Sequence, residues 1–238
     1  MKSLILTLFM IVSIFSGTIS SAQSNWAIDA KIGGGNTNVN LKGDFPELSL
    51  GTTNHLFLNF GVLRRLKNNF LLGLESDVYR FDIGYSFSPL NIINKGGPNA
   101  NYWSIGPKIQ KDIFISGDLG IFLGVGIHYS QTSFDEIEYT GIWQSIRLPN
   151  GEQQIPILLY GQTFVTRQSI HVKPEIGLYY DFSEKSRLTI TSRWGVDLNE
   201  PSISYKLDRV EYQNNSYSNN YTFSGNYWSL LLGYRISF

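Results

Sequence analysis

From Trp26 to the C-terminus the chain alternates apolar and polar residues in eight separate segments, the period of two that sends successive side chains to opposite faces of a strand. In the first segment Trp26, Ile28, Ala30 and Ile32 share one face, and Ala27, Asp29, Lys31 and Gly33 the other. Leu56, Leu58, Phe60 and Val62 form the apolar face of the second. Phe70, Leu72, Leu74, Ser76 and Val78 form that of the third, opposite Gly73, Glu75 and Asp77. The fourth sets Trp103, Ile105, Pro107 and Ile109 against Ser104, Gly106, Lys108 and Gln110. The fifth sets Leu119, Ile121, Leu123, Val125 and Ile127 against Gly120, Phe122, Gly124, Gly126 and His128. In the sixth, Ile170 to Tyr180 alternate with His171, Lys173, Glu175, Gly177 and Tyr179. In the seventh, Leu188 to Leu198 alternate with Thr189, Thr191, Arg193, Gly195 and Asp197. In the last, Trp228 to Phe238 alternate with Tyr227, Ser229, Leu231, Gly233 and Arg235. Each is long enough for the ~9–11 residues that a tilted strand needs to cross a bilayer.

The placement of charge sharpens this pattern. The chain is 16% charged, yet none of the apolar faces carries a charged residue. The opposite faces carry ten: Asp29, Glu75, Asp77, Glu175 and Asp197 against Lys31, Lys108, Lys173, Arg193 and Arg235. A soluble sheet protein could show the same alternation with its apolar face turned inward. Three features point the other way. The polar faces are rich in glycine and balanced in charge, which suits a narrow interior. Trp26, Trp103, Tyr180, Trp228, Tyr234 and Phe238 stand at segment ends, as in interfacial girdles. The chain also ends on Phe238 at the close of an alternating strand, YWSLLLGYRISF.

In these features the sequence resembles the small outer-membrane β-barrels of the OmpA/OmpX type, and most of all the PorT-like barrels of the Bacteroidetes. The resemblance covers the whole chain from residue 23. It implies an all-β fold, an eight-stranded antiparallel transmembrane β-barrel, with outer-membrane lipid as its surroundings and no shared catalytic motif. The expected function is structural, or interaction through outer loops, without catalysis; a small-solute channel is the alternative.

The N-terminus explains how such a chain would reach that membrane. Lys2, the apolar run Leu4 to Phe15 and the small polar stretch to Ala22 have the order of a secretory signal peptide, with a cut before Gln23. Residues 1–22 are therefore read as signal peptide and 23–238 as the barrel domain. Both barrel termini are expected in the periplasm, which requires an even strand number. The 19 basic and 19 acidic residues cancel, so nothing favours nucleic acid. With no cysteine there is no disulfide and no thiolate ligand or nucleophile. No cofactor is implied, and a monomer is expected.

The connections alternate in length, as short turns and long outer loops of such barrels do. Short joins are expected around Lys67-Asn68-Asn69, at 111–118, and from Ser183 to Ser186; long ones between the first and second segments and at 79–101, 130–168 and 199–225. The third long loop, with Pro149-Asn150-Gly151 at its centre, reads as a hairpin. It either projects as an extension of the fifth and sixth strands or inserts to give ten strands; projection is the expectation. Asn/Ser-rich loop four carries Tyr205, Tyr212, Tyr217 and Tyr221, candidates for contact with a protein or glycan partner.

Chemistry is sparse. His128 and His171 share the inward face near the outer ends of neighbouring strands; with Glu136 or Glu138 they could ligate a metal, but rim residues bonded within a polar lumen explain them better. The His128-x-Ser130 pair resembles that of the outer-membrane lipid A deacylases, in which it lies near the C-terminus and is followed by Asn. Here Gln131 follows, mid-chain, and the face points inward. Gly33-Gly34-Gly35 reads as a strand end without nucleotide-binding context. The inward charges are expected to pair structurally, by matched depth: Glu175 with Arg193, Lys173 with Asp197, and Asp29 with Arg235 across the barrel closure.

Overall fold

Backbone amides in hydrocarbon must be satisfied within the protein, and a closed sheet does this without leaving an edge. The computed structural model, which describes residues 25–44, 48–51, 55–82, 84–87, 92–94, 99–147, 154–199, 201–212 and 214–238, has that form. Its strands are β1 (Trp26–Gly43), β2 (Leu48–Gly51), β3 (His55–Arg65), β4 (Phe70–Asp82), β5 (Gly84–Phe87), β6 (Ile92–Asn94), β7 (Asn99–Ser116), β8 (Leu119–Thr132), β9 (Glu138–Arg147), β10 (Gln154–Val165), β11 (Gln168–Ser183), β12 (Ser186–Asp197), β13 (Ile203–Tyr212) and β14 (Asn215–Ser237). Eight of them, β1, β3, β4, β7, β8, β11, β12 and β14, pair in that order, and β14 returns to β1. The closing ladder is antiparallel, from Ala27 opposite Ser237 to Thr37 opposite Tyr227. The chain is therefore an eight-stranded antiparallel β-barrel. The expected signal peptide, residues 1–22, lies outside the described residues.

The alternation maps directly onto the wall. Outward apolar side chains stand exposed, Leu74 at 58%, Ile127 at 55% and Leu232 at 52%, while all ten inward charges are buried. The outward hydroxyl of Ser192 is covered by Trp228, whose indole Nε1 donates to Ser192 Oγ at 2.8 Å. At the short-turn end, cations lie over the girdle rings: Arg64 over Trp26 at 5.7 Å and Lys111 over Phe70 at 4.4 Å. The turns there are tight. Asn68 and Asn69 adopt φ of 60° and 59°, a left-handed conformation that asparagine tolerates.

Two local expectations are corrected. The join expected at 111–118 is mostly strand, because β7 continues to Ser116 and only Gly117 and Asp118 form the turn. Gly33 to Gly35 do not end a strand either, since β1 runs on to Gly43. Glycine is needed there because β1 and β14 approach closely: a Cβ at Gly33 would collide with the Leu230 carbonyl, and one at Gly35 with that of Trp228.

The ten-strand alternative fails. The hairpin of β9 and β10 stays outside the ring and does not simply prolong β8 and β11. It is joined sideways through β10 to β13, which pairs with the upper half of β14. The upper parts of β1 and β14 thus continue into an outer sheet with β13, β10 and β9, and a small sheet of β2, β5 and β6 lies beside it, β2 near β1 and β6 near β9. One face of this outer sheet carries an apolar core of Phe134, Ile157, Ile203, Tyr205, Leu207, Val210, Tyr212, Tyr221 and Phe223.

Candidate functional site

The lumen concentrates nearly all of the chain's unusual chemistry. Gly61, Gly73, Gly124 and Gly177 alternate with large inward side chains along its strands, so long charged groups can lie across the axis. At its centre is Arg193 on β12. Its Nε and Nη2 donate to Glu175 Oε2 at 2.9 and 2.6 Å, on the neighbouring β11. The same guanidinium reaches the opposite wall, because β12 and β4 are four strands apart in either direction around the ring of eight. There Nη1 donates to Asp77 Oδ1 at 2.9 Å and Nη2 to Glu75 Oε2 at 3.0 Å. Lys108 on β7 joins both glutamates, lying 2.7 Å from Glu75 Oε1 and in direct contact with Glu175.

The sequence-derived pairs fare differently. Glu175 and Arg193 face each other in register, as do Asp29 and Arg235, whose Nη2 donates to Asp29 Oδ2 at 2.8 Å. Lys173 and Asp197 do not meet. The ladder sets His171 opposite Asp197, and Lys173 Nζ instead donates across the lumen to Asp77 Oδ2 and Ser104 Oγ, both at 2.6 Å. Matching depth along neighbouring strands missed this because a lysine stem is long enough to choose a carboxylate three strands away.

Above the charged layer the inward faces carry packed rings. Phe57 stacks on Tyr79 at 5.1 Å, Tyr79 on Tyr102 at 5.2 Å, and Tyr227 lies 4.9 Å from Phe57. Tyr102 Oη shares a 2.6 Å hydrogen bond with Ser202 Oγ. His171 sits at this boundary, facing Ser169 Oγ through Nδ1 at 3.1 Å and the Gly225 carbonyl through Nε2 at 3.2 Å. His128, opposite His171 in the ladder, presents Nδ1 to Ser104 Oγ at 3.4 Å and to Lys173 Nζ at 3.2 Å. Its sequence partner Ser130 is likewise buried in the lumen, away from the lipid-facing side. Glu136 and Glu138 are exposed outside the barrel, and among the described residues no three acidic or histidine side chains are arranged to hold a metal.

The tyrosine candidates for partner contact need correction. Tyr205, Tyr212 and Tyr221 are buried and Tyr217 is half-buried. Tyr205 and Tyr221 stack at 4.3 Å, with Phe223 edge-on to Tyr205 at 6.0 Å. They are the core of the outer sheet. The signal was present in Ile203, Tyr205 and Leu207 alternating with Ser204, Lys206 and Asp208, a strand pattern inside a loop of polar composition. The outward face of that sheet instead carries Lys206 over Phe164 at 4.9 Å and Arg209 over Tyr160 at 3.8 Å.

No protein-family model matches the chain, and no curated protein matches it in sequence. Solved structures with a similar barrel include Neisserial surface protein A, with a TM-score of 0.49 and 14% identity over 90% of this chain and 98% of that one. The outer membrane protein OprG from Pseudomonas aeruginosa follows at 0.48 and 10%, over 90% and 97%. The outer membrane protease OmpT from Escherichia coli gives 0.40 and 11%, over 94% and 100%. Likeness at this level concerns barrel form and carries no activity across.

Proposed function

We propose that the chain is an integral outer-membrane β-barrel with a structural role, or an interaction role served by its outer strands, and without catalysis. One observation carries the membrane reading. A continuous exposed belt of Leu, Ile, Val, Phe and Trp surrounds a lumen in which the ten charges of the alternating inward faces are buried, the reverse of what water would select. Between the girdle at Phe70 and the level of Val78, β4 spans nine residues; at ~3.3 Å per residue and a tilt near 40° that is ~23 Å, the height of an outer-membrane apolar band. The placement among PorT-like barrels rests on the alternation, the glycine positions and the aromatic C-terminus.

The outer sheet supports the interaction reading, because its packed aromatic core gives the outer strands a fixed shape rather than that of a loose loop. The cations of β13 held over the β10 rings Phe164 and Tyr160 offer a surface for an anionic glycan or protein. The test of the membrane reading is electrophoretic. The folded barrel in detergent should migrate differently before and after boiling and should stay with membranes under alkaline extraction. A protein soluble in buffer without detergent would overturn it.

A further inference from the structure

At the short-turn end, charge reaches the outward face of the barrel on one arc. On β8, β11, β12 and β14 the outward residues at this level are Leu119, Ile121, Tyr180, Leu188, Tyr234 and Ile236, none of them charged. On β3 and β7 they are Arg64 and Lys111. Arg64 stands opposite Trp26 in the β1–β3 ladder, and Lys111 opposite Phe70 in the β4–β7 ladder. Each cation lies over the ring that it faces, Arg64 at 5.7 Å and Lys111 at 4.4 Å. Lys111 Nζ also donates to the Asn68 carbonyl in the β3–β4 turn, where Lys67 is exposed.

The acids of this end lie elsewhere. Residues 61–74 and 99–111 include none apart from the sequence's inward-facing strands, since the first acid after Gly61 is Glu75 and the first after Asn99 is Asp112. Asp118, Asp181 and Glu184 line the barrel mouth on the β7–β8 and β11–β12 hairpins. Arg65 has the opposite parity to Arg64 and lines the mouth with them.

The arc is amphipathic along the barrel axis. A ring face attracts a cation and holds its head level with the edge of the belt, instead of leaving it to swing into water. β3 and β7 flank β4, so at 4.7–4.9 Å per strand the two cations are about 10 Å apart across the wall, with Phe70 between them. Toward the barrel middle the exposed side chains are apolar at once: Val62, Leu72 and Ile109.

We propose that this arc is a binding site for an anionic glycerophospholipid, its phosphodiester over Phe70 between Arg64 and Lys111 and its acyl chains along Val62, Leu72 and Ile109. Lys67 adds positive charge from the turn. A free anion would use the cations alone, whereas an amphiphile uses the cations and the apolar strip together. The short turns of barrels of this form face the periplasm, so the lipid belongs to the inner leaflet. The inference rests on the membrane reading above.

Arg64→Gln with Lys111→Gln removes the two charges from the arc. Arg65→Gln with Lys185→Gln removes two from the mouth and the β11–β12 turn, and is the charge-matched control. Each barrel, shown to be folded by heat-modifiable migration, would be titrated in nonionic detergent with phosphatidylglycerol or phosphatidylcholine, and bound lipid counted by native mass spectrometry. The parent should hold one phosphatidylglycerol at least ~10-fold more tightly than phosphatidylcholine. At about fivefold per cation beside an anionic lipid, the arc variant should lose about 25-fold in affinity for phosphatidylglycerol and the control less than about threefold. Should the arc variant fail to fold, Lys111→Gln alone, with an expected loss of about fivefold for phosphatidylglycerol and none for phosphatidylcholine, carries the test. Equal affinity of the parent for the two lipids, or an equal loss in the control, overturns the site. Displacement of the lipid by glycerol 3-phosphate at equal concentration overturns a lipid as its occupant. A parent chain that is soluble without detergent strikes the membrane reading, whereas a folded membrane barrel without lipid preference strikes this site alone.

Discussion

Truncating Arg193 tests whether the lumen is held by neighbouring pairs or by contacts across it. Arg193→Met removes the group that serves Glu75, Asp77 and Glu175 together. Each carboxylate keeps another cation, Lys108 for the two glutamates and Lys173 for Asp77, but the closed lumen is left with one surplus negative charge. Breaking a buried ion pair from one side costs ~3–5 kcal/mol. Adding Glu175→Met restores neutrality and removes one of the three bereft carboxylates, while Glu75 and Asp77 still lack the guanidinium. The double variant should therefore regain about half of the loss. Arg235 with Asp29 is the internal control, since among the described residues Arg235 forms an ion pair only with Asp29, and Arg235→Met with Asp29→Leu should regain most of it. Urea unfolding of the barrel in lipid vesicles, followed by tryptophan fluorescence and by the heat-modified band, gives both cycles. Complete recovery in the Arg193 double variant would mean that the contacts to Glu75 and Asp77 contribute nothing. Simple additivity of the two single losses would mean that Arg193 and Glu175 are uncoupled.

Three further outcomes follow from the wall, the rings and the outer sheet. Leu123→Arg places a charge on the exposed belt near mid-strand and should cost ~2–4 kcal/mol in the same assay; an unchanged midpoint would show that this face never meets lipid. Gly33→Ala should abolish folding into vesicles, because its Cβ meets backbone, whereas Gly124→Ala meets only the Glu175 side chain and should fold with a smaller loss; equal yields would refute the close approach of β1 and β14. Tyr205→Ala should loosen the outer sheet by ~3–5 kcal/mol, so that limited proteolysis cuts between 138 and 165 while the heat-modifiable core survives; cleavage no faster than in the parent chain would remove Tyr205 from that core.

The wall was legible in the sequence because period-two alternation needs no knowledge of what lies across the barrel. Phe57, Leu63, Phe122, Tyr179, Tyr227 and Leu231 all fall on the inward faces by parity alone, and all are buried. The adjacency of Asp29 and Arg235 was legible for another reason: in a closed ring the first and last strands must be neighbours. Parity assigns a face and neighbour order assigns a ladder, but neither says which residues meet through the axis. That depends on strand tilt and on the reach of each side chain, and it is why Lys173 was paired with the wrong acid and why Glu75 was not linked to Arg193. The tyrosines of loop four were misplaced by composition, since an Asn/Ser-rich stretch looks like solvent. A register shift between Leu207 and Val210 then breaks the alternation that would have betrayed the strand.

The long strands β1 and β14 explain why two interiors of opposite polarity share one wall. Along β14 the inward positions run from Arg235 and Ser229 through Tyr227 to Phe223 and Tyr221, so the face that is charged inside the apolar belt becomes aromatic beyond it. The outward face changes in the opposite sense, from Leu232, Leu230 and Trp228 to exposed Asn220 and Ser218. Each half matches its surroundings: where lipid covers the outside, apolar groups face out and the lumen can hold charge. Where water covers the outside, the same backbone must bury its apolar groups inward to be stable. The switch occurs at Gly225, with φ of 82°, where the pairing of β1 and β14 also shifts between Thr37 and Val39. That break in the ladder is the boundary between the charged and the aromatic interior. It also accounts for the fate of the hairpin of β9 and β10, which pairs only with a strand beyond the boundary: its buried Ile157 is matched to the aromatic interior of the outer sheet, and the charge-lined ring below has no place for it.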